Sequence, residues 1–145
     1  MPALMCGLGN TFTFMNTNEF EVVVSSGSLQ PESHDGVEFP HSWTPDGVVV
    51  ESVFTGAHLL HLSIAGCVLN DVHREAETLG LTVDGVKVMA SGDFDRRTWQ
   101  STGVEYHVEI DSDAPEPDIE RLIRVVDEVA EIPKAFRAEA LVTRT

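Results

Sequence analysis

Cys67, Asn70, Asp71 and Arg74 crowd into one short stretch and carry the groups from which thiol chemistry could be built. A thiol attacks as its thiolate, and a free cysteine with a pKa of about 8.5 is only a few per cent ionised at neutral pH. A nucleophilic Cys67 therefore needs a cation or hydrogen-bond donors beside it. On a helix, Asp71 falls one turn after Cys67 on the same face, and its charge opposes ionisation. Arg74 follows on that face and is the one nearby cation, because no Lys or Arg precedes it. Cys67 reads either as a reactive thiol or as a small core residue, since buried free cysteines are mostly inert. Asn70, Asp71 and Arg74 read either as a solvent-facing or interface network, or as polar groups orienting a ligand beside Cys67.

His58 and His61 are spaced three apart, which on a helix can hold a metal. His41 or Cys67 could add a ligand, but none stands at a recognisable motif spacing, so no metal and no cofactor is assigned. The pair better fits a helix entrance or a subunit contact, and His61 is kept as a candidate binding residue. Trp43, Trp99 and Phe94 lie in loop-like stretches, where aromatics line pockets or cover a core edge. Trp43 joins Asn70, Asp71 and His61 as a candidate binding residue. Cys6 is the other thiol, and nothing fixes its distance to Cys67.

The elements that must position these groups follow from periodicity. Leu60, Ile64, Val68, Val72, Ala76 and Leu79 recur at helical spacing and predict a helix over 57–79, apolar enough to lie at a domain centre. Thr55 is its expected cap and Gly80 its stop. Thr11–Phe14 and Phe20–Val24 read as strands around an Asn16–Asn18 turn. Residues 25–45 read as a long loop with a short strand at Val37–Phe39, and 47–54 as a further strand. Leu81–Ala90 reads as a strand pair or bent strand about an Asp84–Gly85 turn, and 92–102 as a loop. Val104, Tyr106, Val108 and Ile110 alternate with polar residues, which predicts a half-buried strand. Asp113 looks like the cap of a second helix over 117–130, whose charged face is solvated and which ends at Pro133. Ala138–Val142 reads as a closing strand. The order predicts an α+β domain spanning 1–145.

Composition narrows the function classes. The chain has 145 residues, 42% hydrophobic and 23% charged, with a formal net charge of -15. That suits one folded domain. Such a negative field repels phosphate backbones and anionic lipid, so neither nucleic acid nor a membrane is an expected partner. No apolar run of about 18 residues spans a bilayer. The N-terminus has no basic residue and does not read as a signal peptide. Two cysteines make no disulfide framework, and a cytoplasmic, reducing location is expected.

The segment Leu59-Leu60-His61-Leu62-Ser63-Ile64-Ala65-Gly66-Cys67, followed by a long helix and Gly80-Leu81, resembles the cysteine helix of the OsmC/Ohr superfamily. Residues 111–140 are similar to that family's second helix, and the resemblance covers about 45–143. It implies an intertwined homodimer with an antiparallel sheet, a buried cysteine-bearing helix and an amphipathic second helix. It also implies two-cysteine reduction of organic hydroperoxides, supported by an arginine and a glutamate. Cys67 matches the peroxidatic cysteine. Ile132 stands where the resemblance places the resolving thiol, before Pro133. Ala57 stands where it places the glutamate, and no arginine lies in the N-terminal strand region.

The expected protein is thus a divergent OsmC-like homodimer with a pocket around Cys67 that binds a small apolar molecule. It is not expected to be a two-cysteine hydroperoxide reductase. The alternative is a one-cysteine thiol peroxidase, with Cys67 catalytic, Arg74 in support, a hydroperoxide as substrate and an external thiol as reductant. A third reading is an interaction protein whose dimer surface is its function.

Overall fold

A computed structural model describes residues 19–145. Its elements are β1 (Val22–Gly27), β2 (Val37–Phe39), β3 (Val48–Glu51), α1 (Gly56–Leu79), β4 (Gly85–Phe94), β5 (Ser101–Asp111), α2 (Glu116–Val129) and α3 (Glu131–Arg137). The strands form one antiparallel sheet in the order β2-β3-β1-β4-β5. The fold is α+β, as the element order predicts. Among the described residues no helix is long and apolar enough to cross a membrane.

Strand alternation puts Val22 and Val24 of β1 and Val86, Val88 and Ala90 of β4 on one face. That face packs against Ala65, Val68, Leu69, Val72 and Ala76 of α1, and Leu122 and Val126 of α2, which packs on α1, join the same core. Burying each such Val or Leu side chain contributes about 1.5–3 kcal/mol. This packing fixes α1 against the sheet and thereby fixes which of its faces remains for chemistry.

The helix ends follow the expected physics. Thr55 Oγ1 accepts the His58 N–H, and Gly80 stops α1 in the left-handed region at φ 72°, a conformation glycine adopts without a Cβ penalty. The short strand Val37–Phe39 and the half-buried alternation of β5 also form as predicted. The Thr11–Phe14 strand and its turn lie outside the described residues.

Several boundaries differ. β1 continues through Ser25 and Ser26, which are buried although polar. Ser26 Oγ is paired with His73 Nε2 at 2.9 Å, a tertiary bond that no local pattern announces. Leu81–Asp84 is not a strand, and Asp84–Gly85 is not a hairpin turn: the strand runs from Gly85 to Phe94 and turns back through 95–100 into β5. The Asp84 carbonyl instead accepts the Ser28 N–H, and a Cβ on Gly27 would sit 2.1 Å from that carbonyl oxygen. Asp113 does not cap α2, whose N-cap is Pro115 without a side-chain bond. Ala138–Val142 is not a strand: residues 130–137 are taken by the break at Ala130 and by α3, and no regular element follows. Pro133 sits in the first turn of α3 and does not end α2. A missing N–H costs nothing there, because first-turn donors have no helical partner.

Candidate functional site

The chain breaks between α2 and α3 at Ala130, whose φ of -60° and ψ of 119° are extended. That break turns the first residues of α3 back onto α1. Cys67 is half-buried, and its Sγ donates to Glu131 Oε1 at 3.4 Å. The Ile132 backbone N–H lies near the same sulfur and favours its ionised form. One turn along α1, Asp71 is buried, with 3% of its surface exposed. Arg74 Nη1 lies 3.0 Å from Asp71 Oδ1, and its Nε donates to Glu75 Oε2 at 3.0 Å. The thiol and the carboxylates of Asp71 and Glu131 converge so that one ligand atom from each lies within 4.8 Å of the others.

Burial pushes the Cys67 thiol above its ordinary pKa. The Ile132 N–H opposes this, and the charges of Asp71 and Glu131 add to it. Burial likewise raises Asp71, against the pull of Arg74. Exposed Glu131 is held below its usual range, first by its own backbone N–H and then by the bond from Cys67. Asp71 Oδ2 has no hydrogen-bond donor when both carboxyls are ionised. A protonated Asp71 would have the neighbouring Glu131 carboxylate as an acceptor. Arg74 is not among the groups that lower the thiol. It is committed to Asp71 and Glu75.

The remaining predicted residues lie elsewhere. Asn70 is exposed on α1, and its Oδ1 is paired with His41 Nε2 at 2.9 Å. The His41 ring lies 5.4 Å from Trp43 and 5.3 Å from His73. Asn70 and Trp43 thus belong to a histidine cluster beside a groove of about 260 Å³ between α1 and β2–β3, lined by His41, Leu62, Gly66 and Asn70 among others. Burial, and then the neighbouring His41, depress His73 to about 4. His61 is fully buried, and its Nδ1 pairs with the Phe20 carbonyl at 2.9 Å. Asp71, expected on a polar helix side, is instead buried because α3 covers it. Glu131, which sequence reasoning passed over, completes the cluster. Its only signal was its place in the Ala130-Glu131-Ile132-Pro133 run.

A second groove, of about 560 Å³, adjoins this cluster. It is lined by Leu60, Ile132, Phe136, Ala140 and Val142 together with neighbouring residues of β5 and α3. Cys67 is not part of its lining; Ile132 and Leu60 bring it alongside.

No curated protein matches the chain. Among solved structures, the chain is similar to an OsmC-like hydroperoxide resistance protein from Jannaschia sp. CCS1, with 13% identity and a TM-score of 0.48, over 88% of this chain and 93% of that one. The family model described as OsmC-like protein matches residues 51–144, a stretch that holds α1, Cys67, both later helices and the thiol–carboxylate cluster, and the chain therefore belongs to the OsmC-like family.

Proposed function

We propose that this chain is a divergent OsmC-like protein that binds a small apolar molecule beside Cys67 and does not reduce hydroperoxides through a pair of cysteines. The observation that carries this reading is Ile132. It follows Glu131, whose carboxylate accepts from the Cys67 thiol at 3.4 Å, so an apolar side chain stands near the sulfur where the family resemblance implies a resolving thiol. The groove that Ile132 lines is walled by Leu60, Phe136 and Val142, which suits an apolar ligand. The acting unit is a homodimer of single-domain chains in a reducing cytoplasm. Exposed Phe54, Leu59, Trp99, Leu141 and Val142 support an apolar contact between copies.

Native mass spectrometry of the purified protein, with displacement of an environment-sensitive apolar fluorophore, tests the binding. Ala135→Trp fills the groove and is expected to abolish probe binding. A chain that binds no probe at saturating concentration would overturn the reading. The one-cysteine peroxidase remains the second reading, because Cys67 is half-buried and not sealed. Dimedone labelling of Cys67 during steady turnover of a hydroperoxide with an external thiol would favour it.

A further inference from the structure

We infer that Cys67, Asp71 and Glu131 form a binding site for one divalent, thiophilic cation of the zinc class. Three ligand residues converge from two helices, with one atom from each within 4.8 Å of the others. The Sγ–Oε1 separation is 3.4 Å. Tetrahedral bonds of about 2.3 Å to sulfur and about 2.1 Å to oxygen require about 3.6 Å between those atoms. The pair is therefore already spaced for a shared ion.

The independent observation is Asp71 Oδ2. It is buried and lacks a hydrogen-bond donor. Buried polar atoms are rarely left so, and each such atom calls for an explanation such as an ion. Its other oxygen is held by Arg74 at 3.0 Å, the kind of outer contact that orients a ligating carboxylate. Glu131 is exposed and Cys67 half-exposed, so an ion can enter from solvent and meet Asp71 at the inner wall. A fourth position stays open to water. One thiolate with two carboxylates selects a borderline-soft ion over magnesium or calcium, which prefer oxygen alone. On binding, the Cys67 sulfur loses its proton to buffer, any proton between Asp71 and Glu131 follows, and the metal takes their place.

The test is anaerobic titration of the full chain with Co²⁺ after chelator treatment, in a Cys6→Ser background that leaves Cys67 as the one thiol. A thiolate-to-cobalt charge-transfer band should saturate at one Co²⁺ per chain and disappear when Zn²⁺ is added. Cys67→Ala should lack the band. Glu131→Gln should weaken Co²⁺ binding about tenfold or more, the scale of losing a ligand-shell group. Asp71→Asn should do the same where it folds; exposed Glu131 keeps the test decisive where it does not. Absence of the band in excess Co²⁺, or binding to Glu131→Gln that stays within twofold of the parent, would overturn the site and leave a shared proton as the occupant of the cluster.

Discussion

The Cys67 thiol donates its hydrogen bond to Glu131, across the junction of α1 and α3, at 3.4 Å. A thiol that donates to a carboxylate is stabilised in its protonated form. The neighbouring charge therefore works against nucleophilicity, in the direction opposite to that of an activated cysteine. Burial and Asp71 push the same way.

Removing the Glu131 charge should release part of this restraint. In chelator-treated protein, Glu131→Gln is expected to lower the thiol pKa and to speed alkylation by iodoacetamide near neutral pH. The gain should be modest, about a few-fold, because Glu131 is exposed and its charge is screened by solvent. The check is the alkylation rate as a function of pH for both proteins. An unchanged or slower rate would show that Glu131 does not restrain the thiol.

Oxidation chemistry follows from the residue beside the sulfur. With Ile132 there, an oxidised Cys67 has no neighbouring thiol among the described residues to form a bridge. Peroxide treatment should yield sulfenic or overoxidised Cys67, read by peptide mapping. A Cys6–Cys67 disulfide as the main product would show instead that the N-terminal thiol has taken the resolving role.

The homodimer is expected to be obligate. Sedimentation at micromolar concentration should give about twice the chain mass of 15.9 kDa. Leu141→Glu combined with Val142→Glu, both changing strongly exposed apolar residues, should weaken that association. A monomer that unfolds cooperatively would contradict the expectation.

How much of this was legible in the sequence depended on locality. The 3.6-residue apolar stripe and the Thr55 and Gly80 caps fixed α1 almost to the residue, because those signals act within one element. The alternation from Val104 to Ile110 likewise revealed β5. The buried serines of β1 were missed, because only His73, distant in sequence, explains Ser26. The closing strand failed because the tail leaves Leu141 and Val142 exposed, where β propensity has no partner strand to satisfy. Cys67, Asp71 and Arg74 were readable as one helical face. Glu131 was not, because its approach depends on the backbone break at Ala130 and not on any motif.

Acid stability should report the α2–β5 contact. The Tyr106 O–H donates to Asp127 Oδ1, and Arg137 Nη2 donates to the same atom at 2.8 Å. The tyrosine bond, and then the arginine bond, hold Asp127 below the usual carboxyl range. A carboxylate with a depressed folded pKa contributes stability that is fully present above its unfolded value of about 3.9 and is lost as pH falls through the folded one. Tyr106→Phe should therefore flatten the acid limb of the urea-midpoint profile below about pH 4. An identical limb in both proteins would remove this role from the pair.

Stopped-flow oxidation of the reduced protein by cumene hydroperoxide, alongside Cys67→Ser and Arg74→Ala, tests the central claim most directly. No arginine precedes Arg74, Ala57 replaces the orienting carboxylate that the family resemblance implies, and Arg74 is bound to Asp71 and Glu75. Losing one charge-assisted hydrogen bond costs about 1.5–3 kcal/mol, and about 1.4 kcal/mol is tenfold in rate. The expected result is oxidation at least about one to two orders of magnitude slower than in a two-cysteine enzyme, with little change in Arg74→Ala. A rate matching an efficient two-cysteine enzyme, abolished by Cys67→Ser, would contradict the account and establish Cys67 as a peroxidatic thiol.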